Sequence, residues 1–385
     1  MRILHVVPSY LPAVRYGGPI YSVHGLAKAQ AALGHDVHVF TTNVDGPSVS
    51  PVPVGTKVAL DGVNVWYFES GLGRRLYRSP SMKGALQRDI KSFDIVHLHS
   101  VFLWPTLCAA RIAEREGVPY LLAPRGMLVA DLINKKSRLL KSAWIKLFER
   151  RTIERAAALH VTAQIEADEI ARMGFAPKRV VVAPNGIDIS SMSTTSEATS
   201  RAKPYVLSLG RISWKKGLDT LISAIALVPD AELVIAGNDE EGLLPELEAL
   251  AKSAGVNHRV RFVGPVHGEE KWELLRNADV FVLASHNENF GIAVLEAMAC
   301  AVPVVVTPGV GLAPQVKAAS AGLIANGDPE SMAGALKELL AAPQKRSEMG
   351  FAGRRLAETE FSWPGIASSM ISVYETLRRS QSARN

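Results

Sequence analysis

Two glutamates eight residues apart frame the run Glu288-Asn289-Phe290-Gly291-Ile292-Ala293-Val294-Leu295-Glu296, which continues as Ala297-Met298-Ala299. The glycine lets a ligand approach the backbone, and the residues after it form helices readily. The first turn of such a helix has unpaired N–H groups and a partial positive charge, which attract phosphate. Glu296 then lies roughly 7.5 Å of rise beyond Gly291. One carboxylate can reach one end of an elongated phosphate-containing ligand, and the other a hydroxyl-rich region further along. Upstream, Gly210-Arg211-Ile212-Ser213-Trp214-Lys215-Lys216-Gly217 follows a strand pattern. Cations at a strand-to-helix turn stabilise a departing diphosphate without a metal, Arg through a planar fork and Lys as a compact charge.

The first half of the chain carries a second set of candidates. Asp94-Ile95-Val96-His97-Leu98-His99-Ser100 sets two histidines on the same side of a strand end, because the strand period is two. No third metal ligand is placed by the sequence, so a metal is not expected there. His97 reads as a satisfied core histidine, and His99 lies nearer the carboxyl end of the strand. Ala123-Pro124-Arg125-Gly126-Met127 ends another strand and presents Arg125, which we assign to an acidic or phosphorylated acceptor group. Arg15-Tyr16-Gly17-Gly18-Pro19 stands between the first strand and a helix that Gly34 stops. Paired glycines there permit positive φ and close backbone approach.

These residues need a scaffold that gathers strand ends. Short apolar runs alternate with helical patterns throughout, which predicts an α/β fold of parallel sheets wrapped by helices. Strands are expected at 2–7, 36–41, 63–68, 95–99, 120–123, 158–161 and 179–183, and again at 205–209, 232–236, 260–263, 280–283 and 302–307. Between the two sets, residues 188–200 are Ser/Thr-rich and poor in apolar side chains. At 385 residues the chain exceeds what one core supports, so two doubly wound domains of about 190 residues follow. The boundaries are a first domain at 1–187, a linker at 188–203, a second domain at 204–362 and a closing helix at 363–385. Ligand is expected at the carboxyl ends of the strands, between the domains.

Composition excludes other classes. Hydrophobic content of 48% with 21% charged residues is globular, and no run of 18 apolar residues suggests a membrane span. The N-terminus lacks a signal-peptide pattern, and Cys108 and Cys300 are too far apart for metal-ligand spacing, so a cytoplasmic setting is expected. There is no phosphate-binding G-x-x-x-x-G-K-[ST] loop, and no G-x-G-x-x-G after the first strand, which counts against a dinucleotide oxidoreductase. The segment 132–155 sets eight Lys and Arg against two Glu, matching the whole-chain excess of +6. With Trp144, Leu147 and Phe148 it reads as a basic amphipathic helix, able either to lie on an anionic membrane or to pack as a solvated helix on its own domain. No aromatic-interleaved basic sheet or recognition helix accompanies it, so nucleic acid is not an expected partner.

The Glu-x7-Glu run and the Gly-Arg…Lys-Gly turn together resemble glycosyltransferase family 4, the retaining group 1 glycosyltransferases of GT-B fold. The Asp-x-x-His-x-His strand and the turn Pro184-Asn185-Gly186-Ile187-Asp188 are similar to motifs of the same family. The resemblance implies two Rossmann-like domains facing a central cleft, with the closing helix crossing back to the first. It implies that Arg211 and Lys216 neutralise the leaving diphosphate and that Glu296 binds ribose hydroxyls. Glu288 would take the sugar hydroxyls together with Asn289 and the backbone near Phe290 and Gly291. His99 would contact the transferred sugar, and the Gly17-Gly18 loop would face the donor phosphates. Asn185 and Gly186 would supply left-handed positions in a structural turn. The implied partners are a nucleotide-sugar donor and a glycan acceptor; the basic segment 132–155 points to a lipid-linked glycan of surface polysaccharide assembly, with peripheral contact on the inner membrane face if that segment meets anionic lipid. A soluble phosphosugar acceptor, and a non-catalytic nucleotide-sugar-binding scaffold, are the alternatives. No cofactor or metal is implied, and no Asp-x-Asp is present. Two departures stand out: Ala301 where a Gly is common, and Gln315 where a Glu is common.

Overall fold

The computed structural model describes residues 1–13, 18–128, 144–189 and 203–382. It divides into two compact units, Met1–Gly186 with Trp363–Asn385, and Ile187–Ser362. Arg15, Gly17, most of the 188–203 segment and residues 132–143 of the basic segment lie outside the described residues.

In the first unit, β1 (Arg2–Val6), β2 (Asp36–Thr42), β3 (Lys57–Leu60), β4 (Val63–Phe68), β5 (Ile95–His99), β6 (Tyr120–Ala123), β7 (Ala158–Val161) and β8 (Val180–Val182) form one sheet. Its order is β8-β7-β6-β5-β1-β2-β4-β3. All pairings are parallel except β3 on β4. Alternation sends Leu4, Val6, Val96 and Leu98 into one core and Ile3, Val39, Ile95 and Leu121 into the other. Strands buried on both faces read as near-continuous apolar runs, which is why most were visible in the sequence. The edge strand β3, Lys57-Val58-Ala59-Leu60, was not, because it is only four residues long and none of its residues is fully buried. The helices of this part are α1 (Gly18–Ala32), α2 (Pro80–Asp89), α3 (Trp104–Glu116), α4 (Arg150–Arg155) and α5 (Gln164–Arg172).

The second unit has β9 (Tyr205–Leu209), β10 (Glu232–Ala236), β11 (Val260–Gly264), β12 (Val280–Leu283), β13 (Val304–Val306) and β14 (Gly322–Ile324). They form an all-parallel sheet in the order β11-β10-β9-β12-β13-β14. Its helices are α6 (Leu218–Ala226), α7 (Leu244–Ser253), α8 (Gly268–Arg276), α9 (Ile292–Ala299), α10 (Ala313–Ala318), α11 (Pro329–Leu340) and α12 (Pro343–Glu360). In both sheets the first strand is flanked by a consecutive and a non-consecutive neighbour: β1 by β2 and β5, β9 by β10 and β12. The chain reverses its winding there, and the loops beyond those carboxyl ends diverge to leave room for a ligand.

The last helix, α13 (Trp363–Ser382), belongs to the first unit, where Met370 and Tyr374 are fully buried. Trp363 explains two glycines. A Cβ would stand 2.3 Å from its indole at Gly25 and 2.5 Å at Gly186. Gly186 is therefore required for space, and neither it nor Asn185 has a positive φ, which corrects the left-handed turn expected at this site. Ile187, expected in the first domain, instead bridges to Ser362 within the second unit.

Ala301, one of the departures noted above, has φ 57° just after α9. Left-handed backbone costs an L-residue roughly 1–2 kcal/mol, partly offset by the greater unfolded-state freedom of glycine. Ala301→Gly is expected to stabilise the protein by about 0.5–1 kcal/mol in urea denaturation. A loss of stability would contradict the helix end described here.

Candidate active site

The second unit places its chemistry at the switch point of its sheet. Beyond β9, a short turn of 3₁₀ helix, Trp214–Lys216, ends at Gly217 with φ 58°. No side chain fits there, since a Cβ would meet the Ala284 carbonyl oxygen at 2.2 Å. The turn is tied to the loop after β12 by the His286 N–H, which donates to the Lys215 carbonyl at 2.8 Å. These constraints bring Lys216 back over its own strand end: its Nζ stands 3.4 Å from where a Cβ on Gly210 would be. Nζ donates to Glu288 Oε2 at 2.5 Å, with the two side chains only 19% and 25% exposed. Glu288 is itself pinned through its backbone, donating to the Gly309 carbonyl and accepting from the Gly311 N–H.

Gly291 follows with φ 94° and caps α9, which has no side-chain cap and no acidic residue in its first turn. The Val294 N–H turns back to the Gly291 carbonyl, and the N–H groups of Ile292 and Ala293 remain to meet an anion. Phe290 is buried in the core, edge-on to Phe361 with centroids 5.9 Å apart, so only its backbone can serve a ligand. Asn289 is half buried beside it. Arg211 is 62% exposed and turns toward the loop after β10, its Nη1 3.2 Å from Glu240 Oε2. Glu296, on α9, meets Lys271 of α8: Nζ to Oε1 is 2.8 Å, with the side chains 17% and 23% exposed. Burial raises the Glu296 carboxyl above its usual range, and Lys271 opposes that shift. Every expected donor cation and carboxylate therefore has an internal partner of opposite charge. Glu240 and Lys271 were missed in the sequence because such partners lie far along the chain.

The first unit presents a different arrangement at its own switch point. His5 on β1 lies opposite His97 on β5, and His99 and His160 point to the same side of the sheet. All four are buried. Their hydrogen bonds have a single polarity that can be derived from the ends. Arg125 can only donate, and its Nη2 lies 3.3 Å from His99 Nδ1. His99 Nε2–H then donates to His5 Nδ1 at 2.9 Å, and His5 Nε2–H to Gln30 Oε1 at 2.8 Å. Gln30 Nε2 donates to the Tyr374 hydroxyl at 3.3 Å, which donates to His97 Nδ1 at 2.7 Å. His97 Nε2–H donates to His160 Nδ1 at 3.1 Å, and His160 Nε2–H to the Ala183 carbonyl at 2.9 Å. That carbonyl can only accept, so both ends demand the same result: four neutral imidazoles, each protonated on Nε2.

Burial lowers the histidine pKa values, that of His5 to about 4 and that of His160 to about 3, with His97 and His99 also held well below the usual value. His5, His97 and His99 place three ring nitrogens within 4.8 Å of one another, a spacing that could hold a metal. All six of their nitrogens are already engaged, so a metal would have to displace these bonds. His99 is corrected on the same ground. It is as sealed as His97 and has no free nitrogen for a sugar.

Arg125 is held in place as well. It has φ 54°, and its Nη1 donates to Asn185 Oδ1 at 2.8 Å. Burial lowers its pKa to about 10. The next N–H, of Gly126, donates to the buried Glu166 at 2.8 Å. Ser100 and Phe102 also have positive φ, and buried Glu149 accepts from the Phe102 N–H at 2.7 Å. Strained backbone clusters around this rim, as it does at ligand sites. Gly18 is the first residue of α1. Trp144, of the basic segment, donates its indole N–H to Glu149. Arg151 and Arg155 pair with Glu114, and Arg150 with Glu154. Among the described residues, no helix is long and apolar enough to cross a membrane.

Two Rossmann-like units of this kind, with paired carboxylates and cations at a strand switch point, define a GT-B fold. Comparison with known proteins agrees with that class. The family described as glycosyl transferases group 1 matches residues 194–356, and the glycosyl transferase 4-like domain matches residues 17–186. The chain is 29% identical over 404 residues to the D-inositol 3-phosphate glycosyltransferase of Xylanimonas cellulosilytica, covering 96% of this chain and 94% of that one. Among solved structures, it resembles sucrose-phosphate synthase of Thermosynechococcus elongatus with a TM-score of 0.79 at 22% identity, covering 98% and 99% of the two chains. HepE of Anabaena in complex with UDP-glucose gives a TM-score of 0.76 at 19% identity, covering 98% and 100%. The protein belongs to glycosyltransferase family 4, and it is an enzyme, a glycosyltransferase.

Proposed function

We propose that the protein transfers a hexosyl group, with retention of configuration, from a nucleoside-diphosphate sugar to a small phosphorylated acceptor. The observation that carries the donor half is the Lys216–Glu288 ion pair at the end of β9, beside the uncapped start of α9. The arriving diphosphate takes Lys216 from Glu288 and lies against the α9 N–H groups, with Arg211 on its outer side. The freed Glu288, with Asn289 and the backbone of Phe290 and Gly291, accepts sugar hydroxyls, and Glu296 accepts those of the ribose. The bond from the anomeric carbon to the phosphate oxygen then breaks as the acceptor oxygen bonds to that carbon from the same face. The acceptor's proton passes to the departing phosphate oxygen. Lys216 and Arg211 supply the positive charge this leaving group needs, so the reading assigns no role to a metal or cofactor.

For the acceptor, support comes from Arg125 on the strained rim of the first unit, and from relatives named D-inositol 3-phosphate glycosyltransferase. Gly17 and Gly18, the latter the first residue of α1, keep in this reading their role toward the donor phosphates. A second reading, a lipid-linked glycan acceptor at the cytoplasmic face of an anionic membrane, draws on Leu147, 68% exposed among arginines. Purified protein incubated with UDP-, GDP- and ADP-sugars and a panel of acceptors tests both. Retained-anomer product on phosphorylated polyols or sugars, formed equally in EDTA, is the expected result. Product on lipid-linked glycans alone, with binding to anionic vesicles in low salt, would replace this acceptor by the second.

A further inference from the structure

We propose that Lys271 is a positioning residue for the donor, holding Glu296 as a charged, oriented acceptor for the ribose hydroxyls. This rests on the reading above that Glu296 takes the ribose. Lys271 projects from α8 and Glu296 from α9, and their bond of 2.8 Å engages Oε1. No hydrogen bond from another described residue reaches Oε2, which leaves that oxygen for a ligand. The lysine is not a loose surface partner. Its ammonium lies 4.1 Å from the centroid of the Trp272 ring, and Trp272 packs on the core of the second unit.

The chemistry of the ligand makes the charge matter. A ribose diol offers two O–H donors to one side chain. An ionised carboxylate has only acceptor sites, whereas a protonated carboxyl spends one oxygen as a donor. A carboxylate buried without a counter-charge takes up a proton. Lys271 prevents this, and by occupying one lone pair of Oε1 it also fixes the plane of the group. Discrimination between ribose and deoxyribose therefore depends on a residue that need not touch the nucleotide.

The test measures dissociation constants for the nucleoside diphosphate bound best among UDP, GDP and ADP, and for its 2′-deoxy form. Wild type should prefer the ribonucleotide by about tenfold or more. Lys271→Met keeps the aliphatic stem over Trp272 and removes the charge; its ratio should fall toward one. Lys271→Arg should keep the preference, and Glu296→Gln should lose it. The double variant Lys271→Met with Glu296→Gln should lose no more than either alone. Circular dichroism of each variant verifies the fold, and the arginine variant answers the case in which methionine unfolds the unit. A wild-type ratio in Lys271→Met, alongside a lost ratio in Glu296→Gln, overturns this inference and leaves the donor reading standing. A wild-type ratio in Glu296→Gln overturns both.

Discussion

Lys216→Ala is expected to lower kcat by about 10²-fold or more. The size follows from two effects that act together. The ammonium that meets the leaving diphosphate is lost, and charge develops there most strongly as the bond to the sugar breaks. Glu288 then also loses its partner at 2.5 Å and stands as an uncompensated carboxylate beside the incoming phosphates. The variant should still fold, because the pair lies on a rim rather than in either core of its unit. Steady-state kinetics with saturating donor check this, and turnover within a few-fold of wild type would remove Lys216 from the mechanism. The further variant Lys216→Ala with Glu288→Gln should bind nucleoside diphosphate more tightly than Lys216→Ala alone, since it lacks the opposing charge.

The second large effect concerns acid. The four buried histidines are neutral in the folded protein and refuse protons until the pH falls to about 4 for His5 and about 3 for His160. In the unfolded chain each takes a proton below about pH 6.5. Lowered folded-state values mean that the stability they contribute is complete above about pH 7 and is lost as the pH falls through that window. At pH 5.5 the loss is about 1 kcal/mol for each histidine, or about 4 kcal/mol in all, against a total stability of about 5–15 kcal/mol. Denaturant titrations at pH 7.5 and pH 5.5 should therefore differ by several kcal/mol. Equal stability at the two values would mean that the imidazoles are not sealed. Nitrogen chemical shifts of the rings at pH 7.5 give a second reading of the same chain, with protonated Nε2 in all four.

Much of this was readable in the sequence, and the limits are instructive. Strands such as 95–99 and 205–209 declare themselves because a parallel sheet buries both faces and writes a short, mostly apolar run. The donor rim was readable because its parts are local: Glu288 and Glu296 share one helix start, and Arg211 and Lys216 share one turn. What could not be read is how such groups are paired across the fold. Lys216 and Glu288 are 72 residues apart, and Tyr374 and His97 are 277 apart. The error over His99 has the same origin. A strand's period shows which side a ring faces but not what covers it, and here both ring nitrogens of His99 are taken, one by Arg125 and one by His5. Gly186 misled in a related way, since a glycine before an Ile-Asp turn suggests positive φ while the real demand is the Trp363 ring. The edge strand β3 stayed hidden because four partly exposed residues are too short a run to stand out.

A crystal structure of the protein with its nucleoside diphosphate would decide the donor assignment. The expected density has the terminal phosphate against the first turn of α9, Lys216 Nζ moved from Glu288 to a phosphate oxygen, and the ribose hydroxyls on Glu296. A nucleotide bound elsewhere, or a Lys216 still paired with Glu288 while the diphosphate lies out of its reach, would contradict it.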